Sequence, residues 1–222
     1  MRAFMRDARQ ALRQLGKAPG FTLTTILTLA VGIGATTAIF TLVYDVLLRP
    51  LPFDHAGQLV RMQERVAEIK DLYPNLPMNA NHFEMWQRNA KTVQAMTVMD
   101  EQSVPLGIGG HPQQVKMVSA TPGIFAVFGV SPSLGRAFTE QEATPGHERV
   151  AVLMHDLWRT QFHSDPAILG KTIRLNGFEY TVIGVMPEDF YFPSREARLW
   201  TPMRFSADAF GDRTNTYIFG FA

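Results

Sequence analysis

No cysteine occurs in the 222 residues. A disulfide framework and a thiolate metal site are therefore both excluded. Charge is balanced: 21 Lys and Arg against 20 Asp and Glu leave a net +1. Basic residues form no run outside the N-terminal tail, so nothing points to nucleic acid as a partner. Also missing are a glycine-rich loop ending in Lys-Ser or Lys-Thr and a G-x-S-x-G turn. Those are the local signatures of nucleotide hydrolysis and of an elbow-borne serine nucleophile. No catalytic residue, cofactor or metal site is expected. His147, His155 and His163 fall eight apart, but Pro145-Gly146 and an expected strand deny them a common helix. They read as surface histidines, and Glu140, Glu142, Glu148 and Asp156 read as solvated positions.

Long apolar runs are scarce too, with one exception. Phe21 to Val43 (FTLTTILTLAVGIGATTAIFTLV) holds no charged residue. Its length matches a hydrocarbon core of roughly 30 Å at about 1.5 Å per residue. With no water there for unpaired backbone groups, the segment should be a helix. It is longer than the apolar core of a signal peptide, and no Ala-x-Ala cleavage site follows it. A buried helix of a soluble domain normally has a shorter apolar run. Seven threonines and two glycines interrupt it. Small and hydroxyl residues let membrane helices approach closely, so Thr28, Gly32, Gly34 and Thr36 are candidates for packing on other membrane helices. The plainer alternative is that each threonine bonds to its own backbone one turn back.

Before the run, Arg2, Arg6, Arg9 and Arg13 form one helical stripe, and Phe4, Ala8, Leu12 and Leu15 an opposing apolar one. This is the pattern of an amphipathic helix lying in the membrane interface, in contact with lipid. Pro19-Gly20 should break it. With Lys17, five basic residues precede the span; Arg49 and Arg61 follow it. The bias puts the N-terminus in the cytoplasm and residues from about 49 onward outside. Tyr44 suits the interfacial aromatic belt, Asp45 sits at the outer edge, and Pro50 and Pro52 should hold the exit extended.

Three segments here, LRQLGKAPGFTL, ILTLAVGIGATTAIF and VLLRPLPF, resemble the N-terminus of MacB/FtsX-like ABC-transporter permeases. Further on, ATPGIFAVFGVSPSLGRAFTEQE and AVLMHDLWRTQF…ILGKTIRLNGFEYTVIGVMPEDFYFP resemble the periplasmic core domain of that family. Tyr44-Asp45 departs from the small or neutral residues the family leads one to expect there. The resemblance implies a first transmembrane helix, a large periplasmic domain and three further helices. It also implies a partner ABC ATPase subunit or domain, other permease helices or a second permease copy, and a periplasmic adaptor protein. The implied work is efflux, export or lipoprotein extraction in the bacterial inner membrane. No second apolar span follows in this sequence, so the chain resembles a truncated member.

Within the outer part, Gln58 to Val66 reads as a strand and Asp71 to Ala80 as a loop. Asn81 should cap a helix reaching Asn89, with Phe83 and Trp86 inward. Lys91 to Asp100, Ser103 to Ile108 and Gln113 to Ala120 read as strands, with a turn at Gly109 to Pro112. Thr121 should cap a short helix ending at Gly129. A strand over Arg149 to Met154 and a helix over His155 to Phe162 follow. Lys171 to Val185 reads as a hairpin turned by Asn176-Gly177, a pair that favours the type I′ turn. Leu199 to Met203 adds a strand, and the chain beyond Phe205 is weakly patterned. The expected class is α+β: one N-terminal transmembrane helix followed by a mixed α/β extracytoplasmic domain of two subdomains. The expected segments are a cytoplasmic basic helix over 1–19, a transmembrane helix over 20–48 and a periplasmic core domain over 49–222. A single-pass anchored sensor or binding domain is the alternative to a permease component.

Overall fold

A computed structural model describes residues 15, 17–44, 56–108, 111–212 and 215–222. The expected arginine stripe, Asp45, Pro50, Pro52 and the Gly109-Gly110 turn lie outside them. Contacts divide the chain into two units, Met1–Leu51 and Pro52–Ala222.

In the first unit, helix α1 runs over Pro19–Val43. Its 25 residues reach about 37 Å, enough to span a bilayer core. Pro19 stands in the first helical turn, where its missing N–H costs nothing; it opens α1 instead of only ending what precedes it. Apolar side chains point to all sides, and no residue of the helix is buried. Such a surface is stable only in lipid or against other apolar helices.

Among its described residues the second unit has nine strands: β1 (Arg61–Met62), β2 (Thr97–Ile108), β3 (His111–Ala120), β4 (Leu134–Gly135), β5 (Val150–Leu153), β6 (Thr172–Leu175), β7 (Phe178–Val185), β8 (Ala197–Pro202) and β9 (Phe219–Phe221). Four short helices join them: α2 (Ala80–Asn89), α3 (Ile124–Val127), α4 (His155–Gln161) and α5 (Ala207–Gly211). The strands form one connected sheet, where the sequence suggested two subdomains. Six of them close on themselves. β2 pairs with β3, β3 with β8, β8 with β5, β5 with β7, β7 with β6, and β6 returns to β2.

Every strand of this ring contributes to one apolar cluster, including Leu106, Val115, Ile173, Val182 and Leu199. Alternation along β5 shows how both faces are used. Ala151 and Leu153 join that cluster, while Val152 between them joins a second one with Trp200, Phe125 and Phe128. A strand covered on both faces reads as a continuous apolar run, as VAVL does. Bulges in the β3–β8 and β5–β7 ladders adjust which side chains face each cluster. The hairpin turn forms as its residues dictate: Asn176 and Gly177 have φ of 48° and 82°. The turn is held to the neighbouring strand, since the Asn176 N–H donates to the Pro105 carbonyl (2.9 Å).

Several local expectations are revised. The two strands expected over 91–108 are one, β2, whose early part pairs with β9 and whose late part pairs with β6. The strand expected over 58–66 shrinks to β1 and a bridge between Glu64 and Leu76. Asn79, not Asn81, caps α2: its side-chain oxygen accepts the Asn81 N–H (2.8 Å). Thr121 does not cap α3. Its hydroxyl accepts the Val98 N–H (3.0 Å) and pairs with the Thr97 hydroxyl (2.7 Å).

Asn79 does more than cap. It is 1% exposed, and its amide nitrogen donates to the carbonyls of Asp212 (2.7 Å) and Asn215 (2.9 Å). Its own N–H donates to Glu64 Oε1 (2.7 Å), which also meets His82 Nδ1 (2.8 Å). Asn79→Ala removes the cap and two further hydrogen bonds of a buried side chain, so we expect a loss of about 2–3 kcal/mol in urea unfolding. Amide exchange should accelerate together at the start of α2 and around Asn215. A loss well under 1 kcal/mol would show that water replaces the amide without cost.

Candidate functional site

In α1, the hydroxyls of Thr22, Thr24, Thr25, Thr28, Thr36 and Thr41 bond to the backbone one turn back. Thr28 donates to the Thr24 carbonyl (2.9 Å) and Thr36 to the Gly32 carbonyl (2.8 Å); Thr24, Thr25 and Thr41 do likewise. This is the plainer of the two readings of those residues. Thr28, Gly32 and Thr36 are four apart and so lie on one face. Gly34 is turned about 200° from Gly32 and lies elsewhere. A side chain at Gly32 or Gly34 would meet nothing within 4 Å. The face is available, and nothing among the described residues covers it.

A cleft of about 340 Å³ opens in the second unit. Its walls come from α2, from the Thr121–Gly123 turn, and from the segment joining β8 to α5. The floor is apolar: Phe83, Phe205, Phe210, Met96 and Met203. The rings contact one another, Phe83 to Phe205 at 6.2 Å and Phe205 to Phe210 at 5.4 Å between centroids. Methionine is abundant beside it, for Met62 and Met78 pack in the same cluster. Unbranched thioether chains fit irregular or changing shapes. The polar lining consists of Glu84, Gln87, Glu140 and the Thr121–Gly123 turn, with no basic side chain.

The rim is positioned by a small charged device. Glu142 receives both arms of the Arg136 guanidinium (2.7 and 2.9 Å), the Thr139 N–H (2.8 Å) and the Thr139 hydroxyl (3.3 Å). It thus closes the turn over Glu140–Ala143 that carries Glu140 to the cleft. The sequence read Glu142 as merely solvated; its side chain is only 13% exposed. The Arg136 hydrogen bonds, then the Thr139 N–H, hold its carboxyl below the ordinary range. A depressed pKa means the carboxylate stabilises the folded turn above its unfolded value of about 4.3 and ceases to do so as pH falls through the lower folded value. Protease cleavage near Gln141 should therefore rise only below about pH 4, and Glu142→Gln should make it rapid and insensitive to pH across that window.

The other sequence candidates do not converge. Among the described residues, no three His, Asp or Glu side chains gather as a metal site would require. His147 and His163 are exposed; His155 is half-buried, edge-on to Trp158 at 5.6 Å. Glu148 lies 3.9 Å from Arg204. The cleft was not visible in sequence because Phe83 and Phe205 are more than a hundred positions apart. Only their aromatic type, read as core, hinted at it.

Residues 22–220 match the family model described as the MacB-like periplasmic core domain. The chain belongs to that family. Among solved structures, the periplasmic region of MacB from Actinobacillus actinomycetemcomitans superposes with a TM-score of 0.54 at 16% identity, over 73% of this chain and 72% of that one. The extracellular domain of the noncanonic ABC-type transporter YknZ from Gram-positive bacteria does so with 0.55 at 17% identity, over 74% and 83%. At such identities the likeness speaks for the fold. No curated protein sequence matches the chain. This MacB-like core domain is of the kind found outside the membrane in ABC-type transporter permeases. Here it follows a helix long and apolar enough to anchor it.

Proposed function

We propose that the chain is the anchor helix and outer domain of an ABC-type export permease. In this reading a cytoplasmic ATPase drives conformational change in the outer domain. The observation that carries it is the joining of a MacB-like core domain to a helix whose whole apolar surface is uncovered. The Thr28, Gly32 and Thr36 face would pack on further permease helices or on a second copy. The basic residues before the span favour a cytoplasmic N-terminus and an outer domain on the periplasmic side of the inner membrane. A periplasmic adaptor would dock on the outer domain. Export in this reading needs no catalysis by the chain itself.

The test is recovery of the native protein from membranes in mild detergent with an antibody to the outer domain. An ABC ATPase should come with it. Recovery without an ATPase would overturn the export reading. One observation favours a second reading: the hydroxyls of Thr28 and Thr36, on the face proposed for packing, already bond within their own helix and need no neighbour. In that reading the chain is a single-pass anchored binding or sensing domain.

A further inference from the structure

We propose that the cleft between α2 and α5 is a binding site for a small organic cation with an aromatic or aliphatic body. Its role as cargo or signal rests on the reading above; the binding rests on the cleft alone.

Size and lining come first. About 340 Å³ falls at the low end of small-molecule sites, which are mostly apolar with a few polar groups. The floor of Phe83, Phe205 and Phe210 supplies apolar surface from three aromatic rings. A cation within about 6 Å of a ring face is attracted by the ring quadrupole. Met96 and Met203 complete the floor with adaptable side chains.

Charge gives the sign. Two carboxylates, Glu84 and Glu140, line the cleft and no basic residue does. The cations nearby in sequence are turned to other partners: Arg136 to Glu142 (2.7 Å), and Arg204 towards Glu148 (3.9 Å). Arg88 does pair with Glu84 (2.6 Å), but that arginine is 73% exposed. Such a pair contributes at most about 1 kcal/mol and yields readily to a competing cation. Glu140 makes no ion pair among the described residues. The device of Arg136, Thr139 and Glu142 fixes the turn that bears it. The cleft therefore keeps one uncompensated negative charge beside an aromatic floor. An anion would meet carboxylates with Gln87 as a donor and the Thr121 hydroxyl already engaged by Thr97 and Val98, and a neutral apolar molecule would leave the charge unused. A metal ion would find too few oxygen ligands on one turn.

The experiment uses the full chain in nonionic detergent with methyl-labelled methionine. The probes are tetraphenylphosphonium and tetraphenylborate, nearly equal in shape and opposite in charge. The phosphonium should shift the Met96 and Met203 methyl resonances saturably, while methionines remote from the cleft stay put. The borate should not shift them. Glu140→Gln, at an exposed position, should fold normally and bind the phosphonium about two- to fivefold more weakly. Phe205→Leu keeps apolar bulk but removes a ring face and should weaken it further. Equal shifts by the borate would overturn the proposal, as would unchanged affinity in Glu140→Gln or unmoved Met96 and Met203. If the phosphonium binds as expected but no ATPase is recovered with the native chain, the cation site stands and the export reading falls.

Discussion

Trp200→Ala should destabilise the outer domain by about 3–5 kcal/mol, comparable to the whole stability of a marginal domain. Trp200 is fully buried on β8, a strand at the centre of the sheet. Its ring meets Phe125 at 5.4 Å, Phe190 at 6.0 Å and Phe192 at 6.5 Å between centroids. The indole N–H points at the sulfur of Met154 (3.3 Å), a weak acceptor. Alanine would leave a cavity lined by three rings from two separate segments, neither able to collapse without disturbing its neighbours. The urea midpoint, followed by far-UV circular dichroism, should fall by about 2 M for a slope near 2 kcal/mol per M. Trp200→Phe retains most of the aromatic contact and should lose clearly less. Equal loss in the two variants would locate the effect in the indole N–H instead of in the packing.

The second large effect concerns the membrane. Replacing Thr28 and Gly32 together by leucine should reduce recovery of a partner ATPase, with the permease helices that hold it, by about tenfold or more. Both residues lie on one face of α1, and a Cβ at Gly32 has open space around it. In a helix standing alone the change is harmless, because leucine favours helix more than either residue does. In a packed helix two bulky side chains push the backbones apart and remove close contact. Insertion into the membrane should be unchanged in both cases, which separates lost packing from lost anchoring. Unchanged recovery would favour a helix that only anchors.

How much could be read in advance follows from the range of the interactions. The Asn176-Gly177 hairpin was legible because the turn chemistry lies in two adjacent residues and the strands alternate beside it. Helix α1 was legible from length and lack of charge alone. β9 was not, for Phe219–Phe221 is three residues long and gains its order from β1 and β2 far away in sequence. The capping of α2 was misplaced by two residues because Asn79 and Asn81 carry equal local signals. Only the tertiary partners at Asp212 and Asn215 distinguish Asn79. Thr121 looked like a cap for the same local reason, and the neighbouring strand claimed its hydroxyl. The cleft lies at the far end of this scale: separate stretches of chain from Phe83 to Phe210 build it, and none of them announces it.

The closed circuit of six strands also bears on the order in which the domain is assembled. β3 and β5 are among the earlier strands to be made, yet neither pairs with the other; β8 must lie between them. Its partner on β3 precedes it by roughly eighty residues. A chain emerging from its N-terminal side therefore leaves that gap in the sheet unfilled until β8 arrives. Such distant pairings carry a large loop-closure cost before they return any contact, and they fold slowly. In the interval β3 and β5 present open apolar edges, the form in which strands are most prone to wrong partners. The outer domain should thus be most vulnerable to aggregation and proteolysis while it is being delivered, and far less so once β8 has closed the ring.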